Sequence, residues 1–192
     1  MSIATLPEIE SAVPIAVANE DDLYEVVNGQ RVEMPPMSAY STWLGSRLHS
    51  RMSPVAEKSA LGTAICEALF ILDPVLDLRR RPDVAFVSKD RWPLDRPIPE
   101  IGDWLVVPDL AVEVISPGDT VEDYLDKLKE YFKYQVRQVW VVVPRFREIL
   151  VYSSPSQYRT LTIDDELDGG DVLPGFRLKL ADLFNQPVAV QK

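Results

Sequence analysis

A glutamate interrupts an otherwise apolar stretch in the middle of the chain. The stretch reads VPDLAVEVISPGD, and its residues 107–115 have the composition of a buried β-strand that contains Glu113. An ionised carboxylate loses its hydration when it leaves water, so an unpaired one is costly in such a strand. Alternation of side chains along the strand places Glu113 on the same face as Asp109. The pattern therefore predicts either a functional carboxylate or one half of a buried ion pair.

A divalent cation is one partner that Glu113 could have. Asp109 is too far away to share it, because four residues of extended strand span about 13 Å and Mg²⁺ holds its oxygen ligands at about 2.1 Å. Asp83, in RRRPDVAFVS, also precedes an apolar strand. If the two strands are neighbours, about 4.8 Å apart, Asp83 and Glu113 converge on one side of the sheet. Two converging carboxylates repel each other until a cation binds.

A lysine on the next helix could complete this site. Residues 119–134, DTVEDYLDKLKEYFKY, form an amphipathic pattern whose apolar face centres on Leu128. At about 3.6 residues per turn, Lys127 lies about 100° from Leu128, at the edge of that face. Its ammonium group could reach the sheet and stabilise negative charge that develops on a phosphate. The alternatives are a solvated lysine, or a structural ion pair of Glu113 with Lys127 or with an arginine of residues 79–81.

The composition excludes several other chemistries. The 192 residues contain one cysteine, Cys66, and one histidine, His49, so neither a disulfide nor a Cys/His zinc site can form within one chain. The net charge of −10 disfavours general DNA binding, but it allows a nuclease whose acidic pocket is neutralised by cations. The N-terminus lacks the pattern of a signal peptide, and no apolar run reaches the roughly 20 residues of a membrane span. We therefore expect a cytoplasmic protein without membrane contact.

The segments around these residues predict a mixed α/β domain. LYEVVNGQRVEM predicts a β-hairpin about Asn28-Gly29, and the next helix has Ser38 as its N-cap. Further strands are expected over residues 60–72, 75–79, 82–88 and 104–116, and, after the helix at 119–134, in RQVWVVVP, EILVYSS and YRTLTI. Such an order is typical of one central sheet flanked by helices. We expect a single domain over residues 20–192, after a loosely ordered lead-in over residues 1–19.

Several of these segments together resemble a known family. RRRPDVAFVS, VPDLAVEVISPGD, KLKEY followed by VWVVVP, and VLPGFRLKLADLF are similar, in this order, to the Uma-two family of restriction-type endonucleases. That family belongs to the PD-(D/E)XK nuclease superfamily, and the likeness extends from Leu23 to Phe184. It implies a restriction-endonuclease-like core: a central mixed β-sheet flanked by helices, with an N-terminal hairpin and C-terminal strands.

The resemblance implies an endonuclease that hydrolyses phosphodiester bonds of nucleic acid, with DNA as the expected substrate. It implies Asp83 and Glu113 as ligands of Mg²⁺ or Mn²⁺. The superfamily's lysine would fall two residues after the glutamate, where this chain has Ile115, so the resemblance implies Lys127 on the following helix as the catalytic lysine.

Two further acidic residues, Asp109 and Glu33, match family positions, and we expect them to support the site. For Asp109 the distance argument indicates a place at the start of the strand, outside the set of metal ligands. Nucleases that cut both strands often work as dimers, so a homodimer is a further expectation. Two alternatives stay open: a catalytically inactive nuclease fold that serves as an interaction module, and a hydrolase that uses two carboxylates without a metal.

Two other groups of residues allow a functional or a structural role. The basic cluster Arg79–Arg81 could contact phosphates or form a solvated face. Trp92 and Trp104 could stack on a flipped base or fill the core, and for Trp104 we expect the core.

Overall fold

The computed structural model describes residues 23–186. The lead-in expected over residues 1–19 lies outside these residues. The elements, in chain order, are β1 (Tyr24–Val27), β2 (Gln30–Glu33), α1 (Ala39–Lys58), β3 (Gly62–Cys66), β4 (Phe70–Asp73), β5 (Leu78–Arg80), β6 (Val84–Ser88), β7 (Leu110–Val114), α2 (Val121–Lys133), β8 (Gln138–Val143), β9 (Glu148–Ser154), β10 (Gln157–Leu161), β11 (Glu166–Asp168), β12 (Arg177–Lys179) and α3 (Leu180–Phe184). No helix among them is long and apolar enough to cross a membrane.

A six-stranded mixed sheet forms the centre of the fold. Its strand order is β10-β9-β8-β7-β6-β3. The pair β7 and β8 is parallel, and the other neighbours are antiparallel. Parallel neighbours need a crossover connection, and α2 supplies it between β7 and β8. The predicted mixed sheet with flanking helices is therefore confirmed.

The two faces of this sheet bury separate apolar clusters. One face packs with α1 and contains Leu44, Val84 and Val112, each fully buried. The other face packs with α2, and its cluster includes Ala111 and Leu128. Strand β7 contributes alternate side chains to the two clusters, as period-two alternation requires. Glu113 therefore projects toward the face that α2 covers.

The N-terminal hairpin forms as predicted. Asn28 and Gly29 have φ angles of 52° and 74°, which is the left-handed conformation that a type I′ turn needs at both central positions. Strand β1 also pairs with β5, which builds a second sheet of four strands in the order β2-β1-β5-β4. This smaller sheet brings β1 next to α2.

Helix α1 also begins where the sequence predicts. The side chain of its N-cap, Ser38, accepts a hydrogen bond from the backbone N–H of Ser41 at 3.0 Å. The predicted apolar positions Leu44, Leu48 and Met52 have no exposed surface. His49, in the middle of α1, is half-buried, and its Nε2 is 3.1 Å from the carbonyl oxygen of Ala64.

Three predicted strands have different bounds in the structure. The strand expected over residues 60–72 is two strands, because Glu67, with φ of 50°, turns the chain from the large sheet to the small one. The strand expected at 75–79 starts only at Leu78, because the Asp73 side chain accepts hydrogen bonds from the next residues and closes a turn. The strand expected from Trp104 is confined to β7, and Trp104 forms an isolated bridge with Phe70.

Candidate active site

A cavity of about 450 Å³ opens between the N-terminal hairpin, the adjacent ends of β6 and β7, and one side of α2. Its walls carry eight carboxylates and two basic side chains: Glu25, Glu33, Asp83, Glu113, Asp119, Asp123, Asp126 and Glu130, with Arg80 and Lys127. The cavity therefore contains far more negative than positive charge. Four of the residues singled out in the sequence, Glu33, Asp83, Glu113 and Lys127, line it.

Strand pairing brings Asp83 and Glu113 together. Strands β6 and β7 are antiparallel, with Val84 opposite Val112, so Asp83 and Glu113 are the next residues along the two strands. Asp83 is 8% exposed, and its Oδ2 accepts a hydrogen bond from the backbone N–H of Val114. The strand neighbours inferred from the sequence are therefore neighbours in the fold.

The surroundings of this pair disfavour two negative charges. Burial raises the pKa of Asp83 to about 8, and the nearby charge of Glu113 adds to the effect, against the lowering influence of the Val114 N–H. Burial also raises the pKa of Glu113, although Lys127 opposes this. A cation bound between the two acids would stabilise their ionised forms.

Helix α2 supplies two partners to Glu113. The hydroxyl group of Tyr131, which is fully buried, donates a hydrogen bond to Oε1 of Glu113 at 2.6 Å. The Nζ of Lys127 lies 3.5 Å from Oε2 of the same carboxylate. Tyr131 and Lys127 are one helical turn apart, so both reach the sheet from the same side of α2. The edge position expected for Lys127 thus delivers its ammonium group to the site.

Lys127 has a second carboxylate partner that the sequence reasoning missed. Its Nζ lies 3.1 Å from Oε1 of Glu25, a residue of β1 that is 3% exposed. Burial alone would lower the pKa of Lys127, but the charges of Glu113 and Glu25 raise it above its ordinary value. The signal that could have identified Glu25 is an acid between apolar residues of a strand, the same anomaly that singles out Glu113.

Glu25 also connects to the basic cluster. Its Oε2 is 2.6 Å from Nη1 of Arg80, and Arg80 is in turn 2.6 Å from Glu130 on α2. The backbone N–H of Arg81 donates to Oε1 of Glu25 at 3.0 Å. Arg79 pairs with Asp77 and Asp103, and the guanidinium of Arg81 donates to backbone carbonyls. These arginines are thus engaged with the protein itself, which favours a structural role for the cluster.

The structure does not bring Asp109 into the cavity. Its Oδ2 accepts a hydrogen bond from the backbone N–H of Ser88 at 2.8 Å. Its Oδ1 lies 3.1 Å from Nε of Arg91 and 3.6 Å from Nη1 of Arg137. These contacts fix the start of β7 to its neighbours, at the opposite end from Glu113.

The remaining predicted residues lie at the edge of the site or in the core. Glu33 is exposed, at the end of β2, and contributes to the cavity wall. Trp92 and Trp104 are 8% and 3% exposed and pack edge to face against each other. Both tryptophans therefore fill the core, so the expectation for Trp104 is confirmed and neither ring is placed to stack on a base.

The donor set has the chemistry that a hard divalent cation prefers, since Asp83 and Glu113 offer carboxylate oxygens. Within residues 23–186, no three acidic, histidine or cysteine side chains are already arranged as a metal site. The protein would thus supply two carboxylate ligands, those of Asp83 and Glu113. Mg²⁺ commonly completes its coordination with water and substrate phosphates. The residues fit a cation of this kind.

Comparison with known proteins defines the family. The model of the Uma2 family, described as "Putative restriction endonuclease", matches residues 8–181. The match spans most of the chain, and the protein belongs to this family. The family resemblance inferred from RRRPDVAFVS and VPDLAVEVISPGD is therefore confirmed.

A solved structure shows the same fold. It is a protein from Anabaena variabilis ATCC 29413, described as "a putative nuclease belonging to DUF820", and it is 18% identical to this chain with a TM-score of 0.73. The alignment covers 88% of this chain and 93% of the other. At this identity the likeness establishes the fold alone. No curated protein matches the chain.

Proposed function

We propose that this protein is a divalent-cation-dependent endonuclease that hydrolyses phosphodiester bonds of nucleic acid, with DNA as the expected substrate. The observation that carries the proposal is the pairing of β6 with β7. This pairing places Asp83 beside Glu113 in one cavity, next to the ammonium group of Lys127. Membership of a restriction endonuclease family supports the class of reaction.

Asp83 and Glu113 would hold Mg²⁺ or Mn²⁺. Four carboxylates and two cationic side chains of the cavity wall are largely buried: Glu25, Asp83, Glu113 and Glu130, with Arg80 and Lys127. If all of them are ionised, two negative charges are left over, which one divalent ion would neutralise. A bound ion would supply a nucleophile at neutral pH and neutralise charge on the phosphate.

The side chains of this protein would then orient the two carboxylates and stabilise the phosphate. The Val114 N–H fixes Oδ2 of Asp83, and the Tyr131 hydroxyl fixes Oε1 of Glu113. The raised pKa of Lys127 keeps it protonated at neutral pH. Lys127 therefore acts as a positive charge that stabilises the transition state, and not as the base that removes a proton.

The charge of the cavity also predicts how substrate binds. Without cations, its carboxylates repel the phosphates of nucleic acid, and the net charge of −10 adds to this effect. Binding of nucleic acid, as well as its cleavage, should therefore require a divalent cation. The expected homodimer remains a prediction that sedimentation analysis would test.

The test is a calorimetric titration of Mn²⁺ into the wild-type protein, Glu113→Gln and Asp109→Asn. Glu113→Gln removes a charge from the cavity, whereas Asp109→Asn is the matched control, because it removes a charge directly before the same strand and outside the cavity. We expect binding by the wild-type protein and the control, and at least about tenfold weaker binding by Glu113→Gln, since one lost ligand costs more than about 1.4 kcal/mol.

Absence of binding by a folded wild-type protein, with and without an oligonucleotide duplex, would overturn the proposal. Glu113 would then be one half of a structural ion pair with Lys127, and the fold would be an interaction module. Cleavage of nucleic acid in excess chelator would equally contradict it.

A further inference from the structure

The ammonium group of Lys127 is held by two carboxylates that come from different sheets. Glu113 belongs to the six-stranded sheet, whereas Glu25 belongs to the four-stranded sheet that contains the N-terminal hairpin. The contact with Glu25 is the shorter of the two, at 3.1 Å against 3.5 Å for Glu113. The position of Lys127 therefore depends on a strand that carries neither of the proposed metal ligands.

Glu25 is itself held by donors to both of its oxygens. Oε2 accepts from Arg80, and Oε1 accepts from the backbone N–H of Arg81 and forms an ion pair with Lys127 at 3.1 Å. Arg80 is 6% exposed and extends the network to Glu130 on α2. Charge-assisted hydrogen bonds of this kind are among the stronger ones in proteins, and burial strengthens them further. Because its oxygens are occupied, Glu25 is suited to hold Lys127 and unsuited to act as a ligand.

We propose that Glu25 is a positioning residue for Lys127, and that Arg80 acts through Glu25 and Glu130 to fix helix α2 beside the cavity. The inference rests on the proposed function. If Glu113 holds a cation, its negative charge would be shared with that ion and would attract Lys127 less. Glu25 then keeps the ammonium group at the cavity, where a phosphate would bind.

The first test uses the wild-type protein without substrate. Nuclear magnetic resonance detects scalar couplings across a hydrogen bond, here between Nζ of Lys127 and the carboxylate carbon that accepts it. The signal is assigned by its absence from Lys127→Arg. A coupling to the carboxylate of Glu25 is expected. A coupling to Glu113 alone, or rapid exchange like that of the exposed Lys129, would overturn the inference.

The second test compares Glu25→Gln with Glu33→Gln. Both variants remove one negative charge from the cavity wall, but Glu33 makes no ion pair with Lys127 among the described residues. We expect exchange of the Lys127 ammonium protons with water to rise at least about tenfold in Glu25→Gln, since a hydrogen bond between charged groups is lost. The exchange rate in Glu33→Gln should match the wild type. Equal rates in the two folded variants would contradict the proposal.

The third test is the kinetics of DNA cleavage in Mg²⁺. Displacing a catalytic group by about 1 Å costs about 100-fold in rate, so kcat of Glu25→Gln should fall by about that factor while KM changes little. A kcat of folded Glu25→Gln equal to that of the wild type would overturn the inference while the proposed function stands. Absence of cleavage by the wild-type protein would instead overturn the proposed function, and the magnetic resonance tests would still decide whether Glu25 holds Lys127.

Discussion

The two ends of strand β7 carry acidic side chains in opposite situations. Asp109, at the start, is 2% exposed and lies against two arginines and a backbone N–H. Glu113, near the end, has a tyrosine hydroxyl and a single lysine, and it faces a second acid, Asp83, across the pair of strands. A buried negative charge is neutralised at the first end and left in excess at the second.

On the proposed function, this difference separates a structural carboxylate from a functional one. Burial by itself does not distinguish them, since both residues lie largely out of water. The distinction is the local charge balance, together with access to a cavity. Asp109 has its partners already and needs no ligand. Asp83 and Glu113 lack equivalent partners, and a cation would supply the missing positive charge.

The largest expected effect is on catalysis at the Glu113 end. Glu113→Gln should lower the rate of Mg²⁺-dependent DNA cleavage by at least about 10³-fold, because the change removes a proposed ligand of the ion. Each factor of ten corresponds to about 1.4 kcal/mol of activation free energy. The measurement is single-turnover cleavage of a labelled duplex. Asp109→Asn should keep a rate near the wild type in the folded fraction. Similar losses in both variants would remove the distinction between the two ends.

The next effect is on stability at the Asp109 end. Asp109→Ala leaves Arg91 and the Ser88 N–H without their carboxylate, and breaking a buried pair on one side costs about 3 kcal/mol. Urea unfolding followed by circular dichroism measures this loss. Asp126→Ala, which removes a carboxylate that is 67% exposed, is the control and should change stability by less than about 0.5 kcal/mol. A stable Asp109→Ala variant would show that the contacts at this end are dispensable.

A smaller effect on rate is expected at Lys127. Lys127→Met keeps most of the apolar stem and removes the charge, so kcat should fall by about 100-fold while Mn²⁺ still binds in calorimetry. Lys129→Met is the matched control on the same helix, since the Lys129 side chain is 64% exposed. Loss of Mn²⁺ binding in Lys127→Met would indicate that the lysine supports the ligands and not the reaction.

The smallest effect is on the pH dependence of stability. The pKa of Asp83 in the folded protein, about 8, lies above its ordinary value of 3.8, so the folded protein binds this proton more tightly than the unfolded chain. The contribution is fully present below about pH 4 and is lost as the pH rises towards 8. Relative to Asp83→Asn, the metal-free wild type should therefore lose about 1–3 kcal/mol between about pH 5 and pH 8.

Urea unfolding at the two pH values measures this loss. Saturating Mg²⁺ should restore the stability of the wild type at the higher pH and leave Asp83→Asn unchanged. Parallel profiles of stability against pH for the two metal-free proteins would mean that burial does not penalise ionisation of Asp83. The excess charge inferred for this end of β7 would then be absent.

Much of the fold follows from local signals in the sequence. Asn28-Gly29 specifies the hairpin turn, and the spacing of apolar residues specifies α1 and α2. The elements that differ from prediction depend on distant partners. Trp104 bridges Phe70 and so leaves β7 shorter than its apolar run, and periodicity along the chain contains no information about that contact.

The site residues also divide into those that a local signal in the sequence marks and those that depend on distant contacts. Glu113 and Asp83 could be proposed from the sequence, because an acid in an apolar strand is a local anomaly and strand spacing limits its partners. The same anomaly marks Glu25, but it also marks Glu33, which lies across the same turn and matches a family position. The choice between them depends on Arg80 and Lys127, which reach Glu25 only in the folded protein.

The pairing of Glu25 with Lys127 has a consequence for how the protein acquires its activity. Roughly 100 residues separate the two partners, so the entropic cost of closing this loop must be offset by other contacts of the fold. During synthesis, β1 leaves the ribosome long before α2 exists to receive it. A partly folded chain can therefore assemble β6 and β7 without holding the lysine in place. On the role proposed for Glu25, a nascent chain stays inactive until both β1 and α2 are in place, so incomplete molecules do not cut nucleic acid.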